Sequence, residues 1–227
     1  MNAKANNGVK KKGGCLKWLL IGLIVLVVAA LVVAGVSLIG TKAALGKLKE
    51  DYTAEQPMVI ERKEMNTTQR AQFKKKYTTL REIVRNGKKA TIVLESDELS
   101  QLIANSPETS KVADMTDLWI EGDRLMAKMS IPMDALPQHR LPKMFRTMFR
   151  GRYLNGVFKM NLSVSNGNLH VDVEECLVKG TPVNETFLKM INSQNLDDVV
   201  SRKFGHAWRD TVESVEIKDG KMIIKTR

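Results

Sequence analysis

The chain has 227 residues, 36 Lys+Arg against 25 Asp+Glu for a net charge of +11, 43% hydrophobic residues and two cysteines. That length holds one ordinary domain with an appendage, and 27% charged residues beside a normal apolar share exclude a disordered or collagen-like chain. Two cysteines cannot staple a secreted mini-scaffold, so any folded part has to rest on a hydrophobic core.

Residues 1–17 form a tail with Lys4, Lys10, Lys11, Lys12 and Lys17 and no acid. Trp18 to Gly40 follows, 23 residues without a charge. A helix gains about 1.5 Å per residue, so this run covers roughly 34 Å, enough for a hydrocarbon core of about 30 Å. In lipid the backbone has to satisfy its own hydrogen bonds, which predicts a transmembrane helix over 18–40 despite its valines. A cleaved signal peptide would have an apolar region of about 7–15 residues and a small-x-small cleavage site. This run is longer and Ala34-Gly35-Val36-Ser37 is an indifferent site, so the segment reads as a retained signal-anchor. Cations flanking a span stay cytoplasmic. The expectation is a single-pass cell-membrane protein with its N-terminus inside and residues 41–227 extracytoplasmic, although Lys42, Lys47 and Lys49 pull the other way. Cys15 then reads as a thiol at the cytoplasmic edge. Residues 41–227 carry 31 cations against 25 acids. A moderately basic outer domain argues against nucleic acid and for an anionic membrane surface or cell-wall polymer as partner.

Residues 41–66 read as a polar connector, and 67–227 as the outer domain. From Thr68, Phe73, Tyr77, Leu80, Ile83 and Val84 recur at helical spacing up to Asn86-Gly87. The other face holds Arg70, Lys74, Lys75, Lys76, Arg81, Arg85, Lys88 and Lys89, read as a solvated face, the alternative being a juxtamembrane basic face that binds lipid head groups. A strand is predicted over Ala90 to Leu94. Ser96 then caps a helix with Asp97 and Glu98 in its first turn and Leu99, Leu102 and Ile103 on its buried stripe. Three hairpins follow, around Gly122-Asp123, Asn166-Gly167 and Asp219-Gly220. Counting outward from each turn sets Ile120 opposite Leu125, Val164 opposite Leu169 and Val215 opposite Ile224 on one apolar face. The other face pairs Asp117 with Lys128, Ser163 with His170 and Lys159 with Glu174. Trp119 and Met126 form an apolar pair on that charged face, expected to be covered by a helix or to form a contact patch. Asn184 and Asn195 are expected to cap two further helices. The fold class is therefore α+β: a single N-terminal transmembrane helix, then an antiparallel sheet built from hairpins with helices packed on one face.

Catalytic constellations are absent: no H-E-x-x-H, G-x-S-x-G, P-loop or G-x-G-x-x-G occurs. His139, His170 and His206 are far apart, and Cys176 reads as a small buried hydrophobe. His170, Asp172 and Glu174 share a strand face but pair with ordinary polar neighbours, so neither metal nor cofactor is expected. The segment from Leu141 to Tyr153 is the candidate site. As a helix it gathers Met144, Phe145, Met148 and Phe149 on an apolar face and Lys143, Arg146 and Arg150 on a basic rim. Flexible Met and Phe beside cations suit lipid tails and anionic head groups. The alternative is a core-facing helix with a solvated basic side.

Two stretches, Thr91-Ile-Val-Leu-Glu-Ser-Asp-Glu-Leu-Ser-Gln-Leu-Ile103 and the hairpin with Asn166-Gly-Asn-Leu169 leading to Gly180-Thr-Pro-Val183, resemble the YpmS-like group of membrane-anchored bacterial proteins. The resemblance covers roughly residues 90–195 and implies an N-terminal span, an extracytoplasmic α+β domain and a non-catalytic role. The expected function is a membrane-anchored, non-enzymatic protein whose outer domain binds a lipid or amphiphile or the membrane surface. The alternative is a scaffold or accessory subunit of a cell-envelope complex, with a protein partner.

Overall fold

A computed structural model describes residue 46 and residues 49–61, 65–104, 114–135, 143–165, 168–193 and 212–227, with backbone alone at 80, 81, 84, 85, 104, 145, 187, 190 and 191. The 18–40 run, His139, Asn195 and His206 lie outside the described residues. Among the described residues, no helix is long and apolar enough to cross a membrane.

The domain is an antiparallel sheet with a few helices. In chain order the elements are α1 (Thr67–Asn86), β1 (Thr91–Glu95), α2 (Ser96–Ala104), β2 (Thr116–Glu121), β3 (Arg124–Pro132), a 3-10 turn (Met133–Ala135) and α3 (Lys143–Phe149). Then come β4 (Tyr153–Ser165), β5 (Asn168–Val178), β6 (Thr181–Pro182), α4 (Glu185–Asn192), β7 (Val212–Lys218) and β8 (Lys221–Thr226). Among the described residues one sheet runs β1-β8-β7-β4-β3-β2, with β5 on the other side of β4 and β6 beyond it.

The long strand β4 is the spine. Its first half, Tyr153 to Met160, pairs with β3, while Val164 near its end pairs with Val215 of β7. Two hairpins, β2-β3 and β7-β8, thus lie along the same edge of β4 and meet tip to tip. Asp219 N–H donates to Asp123 Oδ1 at 2.8 Å and Gly220 N–H to the Gly122 carbonyl at 3.2 Å. The Asp219-Gly220 turn holds both central residues at positive φ, 52° and 73°, the backbone that matches strand twist in a two-residue hairpin.

Alternation, broken by a bulge in β5 and by the buried Ser130 of β3, sends one face of the long strands inward. Leu118, Leu125, Met129, Phe158, Met160, Leu162, Val215, Met222 and Ile224 are buried together with Phe73 of α1, Leu99, Leu102 and Ile103 of α2, and Phe149 of α3 in one core. At about 25 cal/mol per Å2 of apolar surface, this shared burial is what holds helices to sheet. The hairpin registers are those the pattern predicts, with Ile120 opposite Leu125, Val164 opposite Leu169 and Val215 opposite Ile224. One outer pair differs. Lys159 faces Glu175 rather than Glu174, because the register shifts between Lys159 and Met160. Glu174 is the extra residue of a bulge, and it reaches across β4 to Arg124 of β3 at 2.5 Å.

Helices also close the sheet edges. Ser96 Oγ accepts the Ile120 N–H of edge strand β2 at 2.8 Å, and Ser100 Oγ donates to Asp117. Ser96 is therefore spent on the neighbouring strand. The back-reaching cap of α2 comes from Glu98, which accepts the Glu95 N–H at 2.8 Å. Lys76 of α1 binds Glu98 at 2.6 Å and the Val93 carbonyl on the edge of β1 at 3.0 Å, so it is not part of the solvated basic face. Asn192 at the end of α4 accepts from Val173 N–H at 2.9 Å and donates to its carbonyl at 3.0 Å, serving as one rung of a missing strand on β5. Occupied edges resist pairing with other chains.

Candidate functional site

The α3 segment takes its place from both ends. Phe149 is 4% exposed and sits in the core, and Met148 packs against that core half-buried. The chain then turns through Gly151, whose N–H donates to Asp134 Oδ2 at 2.8 Å. Arg152 follows, with its N–H on the Phe149 carbonyl at 3.1 Å. Residues four and five positions apart from Met144 thus fix the helix, while Met144 itself remains 40% exposed. Lys143, Arg146, Thr147 and Arg150 are all exposed. Lys143 and Arg146 are three residues apart on one side of α3, and Arg150 follows in the turn just beyond its last residue, Phe149.

This changes the expected division of labour. Phe149 is committed to the protein interior and Met148 is half-buried against it, so the two do not form a fully free surface for acyl chains. The Phe145 side chain lies outside the description. What faces solvent is the basic row, with Met144 at its margin.

Beside α3 the structure brings in a segment from far away in sequence. Residues 49–58, inside the stretch read as a connector, are tied to the sheet end where β4 begins. Ala54 and Tyr153 exchange both backbone hydrogen bonds at 2.8 Å. Met58 N–H is within reach of Ser130 Oγ at 3.0 Å and Asn155 Oδ1 at 3.2 Å, and Asn155 Nδ2 donates to the Gln56 carbonyl at 2.9 Å. Arg152 is the centre of the junction. Its side chain is 12% exposed. Nε donates to Thr53 Oγ1 at 2.8 Å, Nη2 to the carbonyls of Thr53 at 2.8 Å and Lys49 at 3.4 Å, and Nη1 pairs with Glu55 at 3.1 Å. Lys179, in a left-handed conformation at φ 52°, donates its ammonium to the Glu50 carbonyl. Residues 49–52 are helical, and Arg152 and Lys179 thus meet the carbonyls of Lys49 and Glu50 in that turn and of Thr53 just after it, where the negative end of a helix dipole lies. Sequence reasoning missed Arg152. Its partners are about a hundred residues away, and no local spacing announces them.

The other candidates resolve as structural groups. Cys176 is buried at 1% exposure, and burial followed by the charge of Glu175 pushes its thiol up to about 12, far from a thiolate nucleophile. Tyr52, packed against the core nearby, has its phenol pushed upward by burial, then by Asp51 and Cys176. His170 is exposed opposite Ser163. Among the described residues no group of His, Cys, Asp and Glu could hold a metal ion. Trp119 and Met126 face each other on the outer side of the sheet, half-buried, whereas the buried helix residues gather on the opposite face. In comparisons with known proteins, no family model, no curated protein and no solved structure matches the chain.

Proposed function

We propose that this is a single-pass, membrane-anchored, non-enzymatic protein whose outer α+β domain binds lipid at the membrane surface. The observation that carries the reading is the exposed cations Lys143 and Arg146 of α3 and Arg150 just after it, on a segment bonded, through Arg152, to residues that follow the 18–40 apolar run. Each cation near an anionic surface contributes about 1 kcal/mol at physiological ionic strength, fading within a Debye length of about 8 Å. The resemblance to the YpmS-like group supports the same arrangement of span and outer domain.

Vesicle flotation tests it. The full chain is expected to float with vesicles of any composition and at high salt. A chain lacking residues 1–40 is expected to float only with anionic vesicles at low salt, and to lose that binding on charge reversal of Lys143, Arg146 and Arg150. A full chain that stays at the bottom of the gradient contradicts the anchor. A truncated chain indifferent to lipid charge contradicts surface binding.

A second reading, an accessory subunit of an envelope complex, is favoured by the outer sheet face. There Trp119 pairs with Met126, and Val157 lies between Lys128 and Leu177, all half-buried. Photo-crosslinking from position 119 in intact cells would give one stoichiometric adduct if this is right.

A further inference from the structure

We infer that α3 lies flat on the bilayer with Lys143, Arg146 and the adjoining Arg150 against anionic phospholipid headgroups of the leaflet in which the anchor ends, and that it binds headgroups without inserting into the acyl layer. The inference rests on the membrane-anchored reading and adds the ligand class, the face and the depth.

Three observations carry it. First, the apolar side of α3 is occupied by the protein itself, since Phe149 is 4% exposed and Met148 belongs to the core packing. With those two side chains packed on the protein, the exposed groups are the cations, with Met144 at their margin, and the cations match anionic headgroups in charge. Secondly, Lys49, whose carbonyl Arg152 holds at 3.4 Å, lies only nine residues beyond Gly40. Nine residues reach at most roughly 32 Å fully extended and about 14 Å as helix. The Arg152 junction therefore keeps the foot of α3 within roughly 32 Å of where the anchor leaves the bilayer. Thirdly, the junction is bonded at several points. It combines a two-bond backbone bridge at Ala54 and Tyr153, the Arg152 fan of donors and the Lys179 contact. Two attachments, one covalent and one electrostatic, would then fix the attitude of the sheet on the membrane. The second needs little intrinsic affinity because the tether raises its effective concentration.

Amide hydrogen exchange on the full chain in nanodiscs separates the possibilities. Discs of phosphatidylglycerol are compared with discs of phosphatidylcholine. Residues 143–151 are expected to exchange more slowly in the anionic discs, by up to roughly a hundredfold for three cations. Exchange of β4 should not differ. The Lys143→Glu, Arg146→Glu, Arg150→Glu chain should lose the difference while β4 stays protected, which shows that its fold is intact. A chain that enters both discs but exchanges identically over 143–151 overturns headgroup docking and leaves the anchor standing. A chain that enters neither overturns the anchored reading together with it. Slowed exchange in both lipids alike, insensitive to charge reversal, would mean insertion or protein packing and also overturns the inference.

Discussion

Phe158 is fully buried at the centre of the sheet, and its ring lies over Gly156, two residues earlier on the same face. A Cβ at position 156 would come within 2.9 Å of that ring and 3.4 Å of the Leu177 carbonyl. Gly156→Ala is therefore expected to destabilise the domain by about 1–3 kcal/mol through overpacking. Phe158→Ala is expected to cost about 3–5 kcal/mol through the cavity it leaves. Urea denaturation of both variants checks the pair. Cys176 gives a prediction with a sign. Its thiol is pushed up to about 12 in the folded state from an ordinary value of 9.0, so the native protein holds its proton longer than the unfolded chain. Stability from this group is complete below pH 9 and is lost as pH rises through the interval up to about 12. In a Cys15→Ser background, the remaining thiol should resist a thiol reagent at pH 8 until denaturant is added. Immediate labelling of the native chain would contradict its burial.

At the scale of elements, the hairpins were legible because independent signals coincide: period-two apolarity and a glycine-containing turn in all three, and complementary polar or charged residues opposite each other in the first two. The bulge at Glu174 was not legible. One extra residue leaves the alternation locally ambiguous, and the Arg124 ion pair that accompanies it joins residues 50 positions apart. Hydrophobic spacing gave the stripe of α2, but Ser96 could equally have capped its own helix or bonded a strand. Only the approach of β2 selects the second. The edges follow from such contacts. Asn192→Ala removes the partner of both Val173 backbone groups and is expected to cost about 1–3 kcal/mol. The same change should raise the aggregation rate on mild heating, as light scattering would record, because the β5 edge becomes available for pairing.

For the molecule as a whole, the decisive feature is the joining of the beginning of the chain to its middle. The 49–58 segment carries no helical or strand period, so its sequence suggests only a connector. What fixes it is a set of polar bonds to Arg152, Ser130 and Asn155 that no local pattern encodes. The candidate helix was partly legible for the same kind of reason. Residues 143–149 show amphipathic spacing, but spacing cannot say whether Met148 and Phe149 face lipid or the protein's own core. The sheet beneath them decides, and it leaves Lys143, Arg146 and Arg150 outward. Arg152→Ala is expected to free residues 49–58, seen as fast amide exchange there with β4 unchanged, whereas Arg152→Lys retains part of the protection. Protease added to intact cells tests the central claim most directly. The tethered-domain account predicts cleavage within 49–227 and a protected, membrane-held fragment containing 18–40. Resistance of the domain until the cells are lysed, or a mature chain beginning beyond residue 40, would contradict it.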